Sequence, residues 1–188
     1  MPFSLGYWAT AGAGGGGGGA GAYEQIATAF GTGSSGTITF DSIPQGYKHL
    51  QLRYTGRNTT TGNSQIFLRM NNVSTTVYSA HSLLGNGSTV TSPDSQANAT
   101  EILFFEATMT SSNPQDAFHA GVIDLLDYAS TSKNKTLRAL YGGATAFNRI
   151  CLRSGVFRST AAVSRIDLIT SGGFYTSTSR FSLYGIKG

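Results

Sequence analysis

Between Thr37 and Ile186 the apolar residues recur at every second position, in short runs closed by Gly, Asn, Asp, Ser or Pro. Successive side chains of an extended chain point to opposite faces. A period of two therefore fits a strand with one face in a core, and it does not fit the 3.6-residue repeat of a helix. The clearest run is His49–Tyr54, with Leu50, Leu52 and Tyr54 on one face and His49, Gln51 and Arg53 on the other. Thr37–Phe40, Gln65–Met70 (Ile66, Leu68 and Met70 inward), Thr76–Tyr78, Thr136–Tyr141, Asn148–Arg153, Ser164–Ile169 and Arg180–Ile186 read the same way. Glu101–Glu106 and Phe118–Leu126 are more continuously apolar and predict strands buried on both sides. Gly85–Asn98 has no apolar pattern and reads as a long polar loop. Nine or ten strands result, and no window of helical periodicity lies among them. The expected fold is all-β: an antiparallel β-sandwich, jelly-roll-like, with a closed barrel as its rival.

Composition points the same way. Only 12% of the 188 residues are charged, against about 25% in an ordinary domain, while Ser and Thr number 45 and Gly 25. Such a surface is made soluble by hydroxyls and amides, which excludes a helical bundle and favours a structural or binding protein over most enzyme classes. The net charge of +4 is spread rather than clustered. Arg53, Arg57, Arg69, Arg138, Arg149, Arg153, Arg158, Arg165 and Arg180 fall about one per strand, and are expected to face solvent or a partner subunit. That distribution lacks the basic stripe of a nucleic-acid binder. Cys151 is the only cysteine, so no internal disulfide forms, and its neighbours place it in or near the core.

The first 22 residues are of another kind. Met1–Trp8 carries Phe3, Tyr7 and Trp8, the only tryptophan of the chain, and Ala9–Ala22 is almost pure Gly and Ala with six consecutive glycines at Gly14–Gly19. Polyglycine has maximal backbone freedom and no side chains to bury. The sequence therefore divides into an aromatic-tipped Gly/Ala-rich arm, 1–22, and a sandwich domain, 23–188. Phe3, Tyr7 and Trp8 are the candidate partner-binding anchors. The glycines satisfy G-x-G-x-x-G trivially. Neither a strand before them nor a Gly-Lys-Ser/Thr accompanies them, so no nucleotide site is expected.

Nor does the sequence carry a recognisable catalytic or metal constellation. His49, His81 and His119 are spaced 32 and 38 residues apart, without the close-spaced pairs of a zinc site. Asp124 and Asp127 are the one carboxylate pair in an apolar stretch. Three residues apart on a strand they point to opposite faces, so Asp124 is expected to pair with an arginine and Asp127 to cap a turn. No catalytic residue, metal or cofactor is assigned. Five Asn-x-Ser/Thr triplets, at Asn58, Asn72, Asn86, Asn98 and Asn134, follow from composition. With no signal-peptide pattern and no run of about 20 apolar residues, the chain is expected to be made in the cytoplasm and not to engage a membrane.

Several segments resemble a known group. The aromatic-tipped Gly/Ala-rich start, Tyr23–Thr28, Ser42–Arg53, Gly121–Thr136 and the terminal Ser179–Gly188 are similar, nearly end to end, to virion structural proteins of tailed bacteriophages, notably marine and cyanobacterial ones. The resemblance implies a non-enzymatic β-sandwich, made in the host cytoplasm, that decorates a capsid or forms part of a tail. The favoured expectation is a capsid decoration (cement) protein, a homotrimer held on the major capsid protein through its arm. The alternative is a tail or fibre component that adsorbs a host glycan through the Gly85–Asn98 loop and tyrosines such as Tyr141 and Tyr175.

Overall fold

A computed structural model describes residues 21–62, 64–92, 95–105, 110–143 and 149–188. Thirteen strands lie among them: β1 (Tyr23–Phe30), β2 (Thr37–Phe40), β3 (His49–Gly56), β4 (Ile66–Met70), β5 (Tyr78–Gly85), β6 (Val90–Thr91), β7 (Ser95–Ala99), β8 (Ile102–Phe105), β9 (His119–Leu126), β10 (Lys135–Gly143), β11 (Arg149–Phe157), β12 (Ile166–Thr170) and β13 (Arg180–Ile186). They form two antiparallel sheets. The larger runs β1-β13-β3-β9-β10-β11-β5-β6, with β7 also on β5, and the smaller runs β2-β12-β4-β8. The expected all-β antiparallel sandwich is what the chain forms.

The period-two pattern sorts side chains as the sequence predicts. Leu50, Leu52, Ile123, Leu125, Leu137 and Leu183 from the large sheet meet Ile38, Phe40, Ile66, Leu68, Ile102 and Ile166 from the small one, all buried. An aromatic cluster closes one part of the core. Tyr54 stacks on Phe181 at 5.8 Å and meets Phe104 edge-on at 5.7 Å, and Tyr175 meets Phe181 at 4.9 Å. Gly121 and Gly185 make room for such rings. A Cβ at Gly121 would lie 2.6 Å from Tyr54, and one at Gly185 2.3 Å from Tyr47.

Four sequence expectations need correction. Gly85–Asn98 is not a plain loop. Asn86 Oδ1 accepts the backbone N–H groups of Ser88 and Thr89 at 3.0 and 2.8 Å, Gly87 takes φ 90°, and β6 and β7 fold back onto β5. The Asn-Gly pair is a hairpin signal, but β6 after it is only two exposed residues, and β5 before it runs from Tyr78 to Gly85, where the sequence predicts a strand only at Thr76–Tyr78. Tyr23–Phe30, which is not among the strands expected from sequence, is the edge strand β1. The strand in Phe118–Leu126 is buried on one face only, since Ala120, Val122 and Asp124 stand on the other, partly or fully exposed. Finally, Arg57 and Arg153 are buried rather than solvent-facing. The Arg57 guanidinium donates to the carbonyls of Asn113 (2.7 Å), Ala117 (3.1 Å) and Pro114, and that of Arg153 to the carbonyl of Leu103, so hydrogen bonds compensate lost hydration.

Candidate functional site

The outer face of the large sheet carries the chemistry that sets this sandwich apart. On β10 and β11, Ala139, Tyr141, Cys151 and Arg153 point inward, so Arg138, Leu140, Ile150, Leu152 and Ser154 point out. Register then aligns residues distant in sequence. Leu83 pairs with Leu152, Leu152 with Leu140, Leu140 with Val122 and Val122 with Arg53, which makes one row across five strands. The adjacent row is Val90, Gly85, Ile150, Gly142 and Ala120. Gly85 leaves space beside the branched side chain of Ile150, whereas a Cβ at Gly142 would lie 2.7 Å from the carbonyl oxygen of Arg149. Leu83, Val90, Leu140, Ile150 and Leu152 are 45–69% exposed. Val122 and Leu140 of the first row and Gly85, Ile150 and Ala120 of the second line an open depression of about 760 Å³ that reaches Arg53, Gly87 and Arg149. Adjoining exposed aliphatics of this kind are the usual mark of a binding surface, where single exposed ones are not.

A polar row borders the apolar ones. Gln51 donates to Asp124 at 2.7 Å, Arg138 donates to the other oxygen of Asp124 at 3.2 Å, and Arg53 donates to Gln51 at 2.7 Å. Ser154 and His81 continue the row toward β5. Arg53 also lies between two rings, its guanidinium carbon 5.2 Å from the centroid of Tyr23 and 4.7 Å from that of Tyr184. This stack runs from the first residue of β1 to the end of the apolar row. Cation–π contacts of this kind hold the Arg53 guanidinium against the two rings.

The residues singled out from sequence fall in several places. Phe3, Tyr7 and Trp8 lie outside the described residues. Tyr141 and Tyr175 are 5% and 1% exposed, so burial in the core removes them as glycan contacts, a correction to the expectation for an adsorption surface. Cys151 is buried, as expected. Asp124 pairs with Arg138 as expected. Asp127, at the end of β9 with φ 48°, accepts from Lys133 at 2.7 Å, and its backbone N–H donates to His49 Nδ1 at 3.0 Å. The Lys133 ammonium holds the Asp127 carboxyl below its usual range. The histidines stay apart: His49 on β3, His81 exposed on β5, and His119 buried on β9 with its pKa pulled down to about 3 by burial. Among the described residues no three His, Cys, Asp or Glu side chains gather as a metal ion would need. No described helix is long and apolar enough to cross a membrane.

Sequence reasoning did not single out the outer face. Its signal is present in Ser82-Leu83-Leu84, Ala139-Leu140-Tyr141 and Ile150-Cys151-Leu152, where both parities of a strand are apolar. Only the pairing register reveals that these second-parity residues meet.

No protein-family model, curated protein or solved structure matches the chain. The geometry of the outer face therefore carries the functional reading.

Proposed function

We propose that the chain is a non-enzymatic structural protein of a tailed-phage virion, a decoration protein fastened to the outer shell by its N-terminal arm, with Phe3, Tyr7 and Trp8 as apolar anchors. The observation that supports this reading is an exposed apolar face on the large sheet, whose edge strand β1 follows the aromatic-tipped arm directly in sequence. The resemblance to virion structural proteins supplies the partner, the major capsid protein. Aromatic side chains are the residues most often dominant at interfaces, because each removes a large area from water at small rotamer cost. Shell positions of local threefold symmetry make a homotrimer the expected assembly.

Two measurements test this. Copy number per particle should run to hundreds for shell decoration, whereas a few to a few tens would place the protein in a tail or fibre. Removal of residues 1–22 should abolish attachment to shells while the sandwich stays folded. Normal occupancy by the truncated protein would overturn the arm mechanism.

A further inference from the structure

Five aliphatic side chains from four strands stand exposed on one face, and Tyr23, the first residue of β1, turns its ring to that face. Tyr23 pairs with Ile186, and its ring packs on Arg53, an outer-face residue. The Tyr23–Arg53–Tyr184 stack thus points from the root of the arm to the depression, which Arg53 lines. Four to five strand spacings separate β1 from β10 and β11, and register places Leu140 about four residues further along the strands than Tyr23. At ~4.8 Å per strand and ~3.4 Å per residue, the span is roughly 25 Å. Trp8 precedes Tyr23 by 15 residues, nearly all Gly and Ala. A Gly-rich chain of that length has an r.m.s. span of about 20–23 Å and a fully extended reach of about 50 Å. The tether length matches the distance to this face.

We infer that the outer face around Leu140, Ile150 and Leu152 is the seat of the aromatic tip, Phe3–Trp8, of the same chain. The space over Gly85, beside Ile150, suits a flat ring, as an aromatic neighbour covers a glycine in a sheet. A short tether holds the tip at an effective concentration of about 1 mM, so even a seat with a Kd of about 100 µM is roughly nine-tenths occupied. The tip covers the apolar face in the free protein, and attachment to a shell then exchanges one apolar seat for another. The seat is tested on the isolated protein, so its failure and the failure of the virion reading are distinguishable.

Trp8, as the single tryptophan, reports the tip directly. In full-length protein its emission should be blue-shifted and its acrylamide quenching several-fold weaker than in the chain unfolded by urea, consistent with a mostly occupied seat. The double substitution Leu140→Ser/Ile150→Ser, at exposed positions, should restore free quenching while the far-UV circular dichroism stays unchanged. Free quenching in the unsubstituted protein, or protection that survives the double substitution, overturns the seat. A mixed refolding separates own chain from neighbour: the Leu140→Ser/Ile150→Ser chain is refolded with excess Trp8→Ala chain, whose face is intact. Trp8 remaining quenchable supports a seat on the same chain. Protection in the mixture overturns it in favour of a second copy.

Discussion

At the residue scale, the informative side chains are the polar ones the sandwich has enclosed. His119 is buried as a neutral imidazole, and burial brings its pKa down to about 3 from an ordinary 6.5. Between these values the unfolded chain binds a proton that the folded chain refuses. Stability is therefore full above pH 6.5 and falls as pH drops toward 3, by about 1.4 kcal/mol per unit within that window. Urea unfolding at pH 7 and pH 5 should differ by about 2 kcal/mol more in the natural sequence than in His119→Gln, whatever the variant's absolute stability. An equal pH dependence in the two proteins would refute the assignment. Lys135 is a second case. Its ammonium donates to the carbonyls of Ser130 (2.6 Å), Lys133 (2.7 Å), Thr160 (3.2 Å) and Ser159 (3.4 Å), and its side chain ties the β9–β10 turn to the end of β11. Burial lowers its pKa, yet four carbonyl dipoles compensate the charge. Lys135→Met leaves those carbonyls without their donor and should cost about 2–4 kcal/mol in chemical denaturation.

At the element scale, β10 separates buried from exposed hydrophobicity within one strand. Leu137 is 1% exposed and faces the small sheet, whereas Leu140, three residues on, faces outward at 45%. Leu137→Ala should lower unfolding free energy by about 2–5 kcal/mol, because it opens a cavity between sheets that cannot collapse onto it. Leu140→Ala should change it by less than about 1 kcal/mol. Comparable losses at the two positions would mean that the outer face is covered in the folded protein more extensively than by one short segment. On β13, Gly185 lies under the ring of Tyr47. Gly185→Ala should cost about 1–3 kcal/mol, since a Cβ 2.3 Å from the ring must displace it. A thermal midpoint unchanged by that substitution would show the ring free to move.

At the scale of the whole molecule, the inferred seat of the arm's tip sets what truncation should do. Deletion of residues 1–22 removes no residue of the described strands, because β1 begins at Tyr23. The truncated protein should keep a cooperative thermal transition yet bind an apolar dye more strongly than the full chain. Equal dye binding by the two would argue against the arm as cover. Much of this was legible beforehand. The alternation of Leu50, Leu52 and Tyr54, or of Ile66, Leu68 and Met70, needs only the local rule that neighbouring side chains in a strand oppose each other. That rule alone determines an all-β core and marks off the Gly-rich arm from it. It does not say which strands become neighbours. Leu83, Val122, Leu140 and Leu152 form one row only because β5, β9, β10 and β11 pair in a particular register, which long-range packing selects. The same selection turns Arg153 inward while Arg138 stays out, and encloses Tyr141 and Tyr175, which composition alone made plausible surface contacts. The sequence by itself determined parity and hence fold class. The exposed apolar face was decided by tertiary register, a non-local property set by how two sheets close over one core.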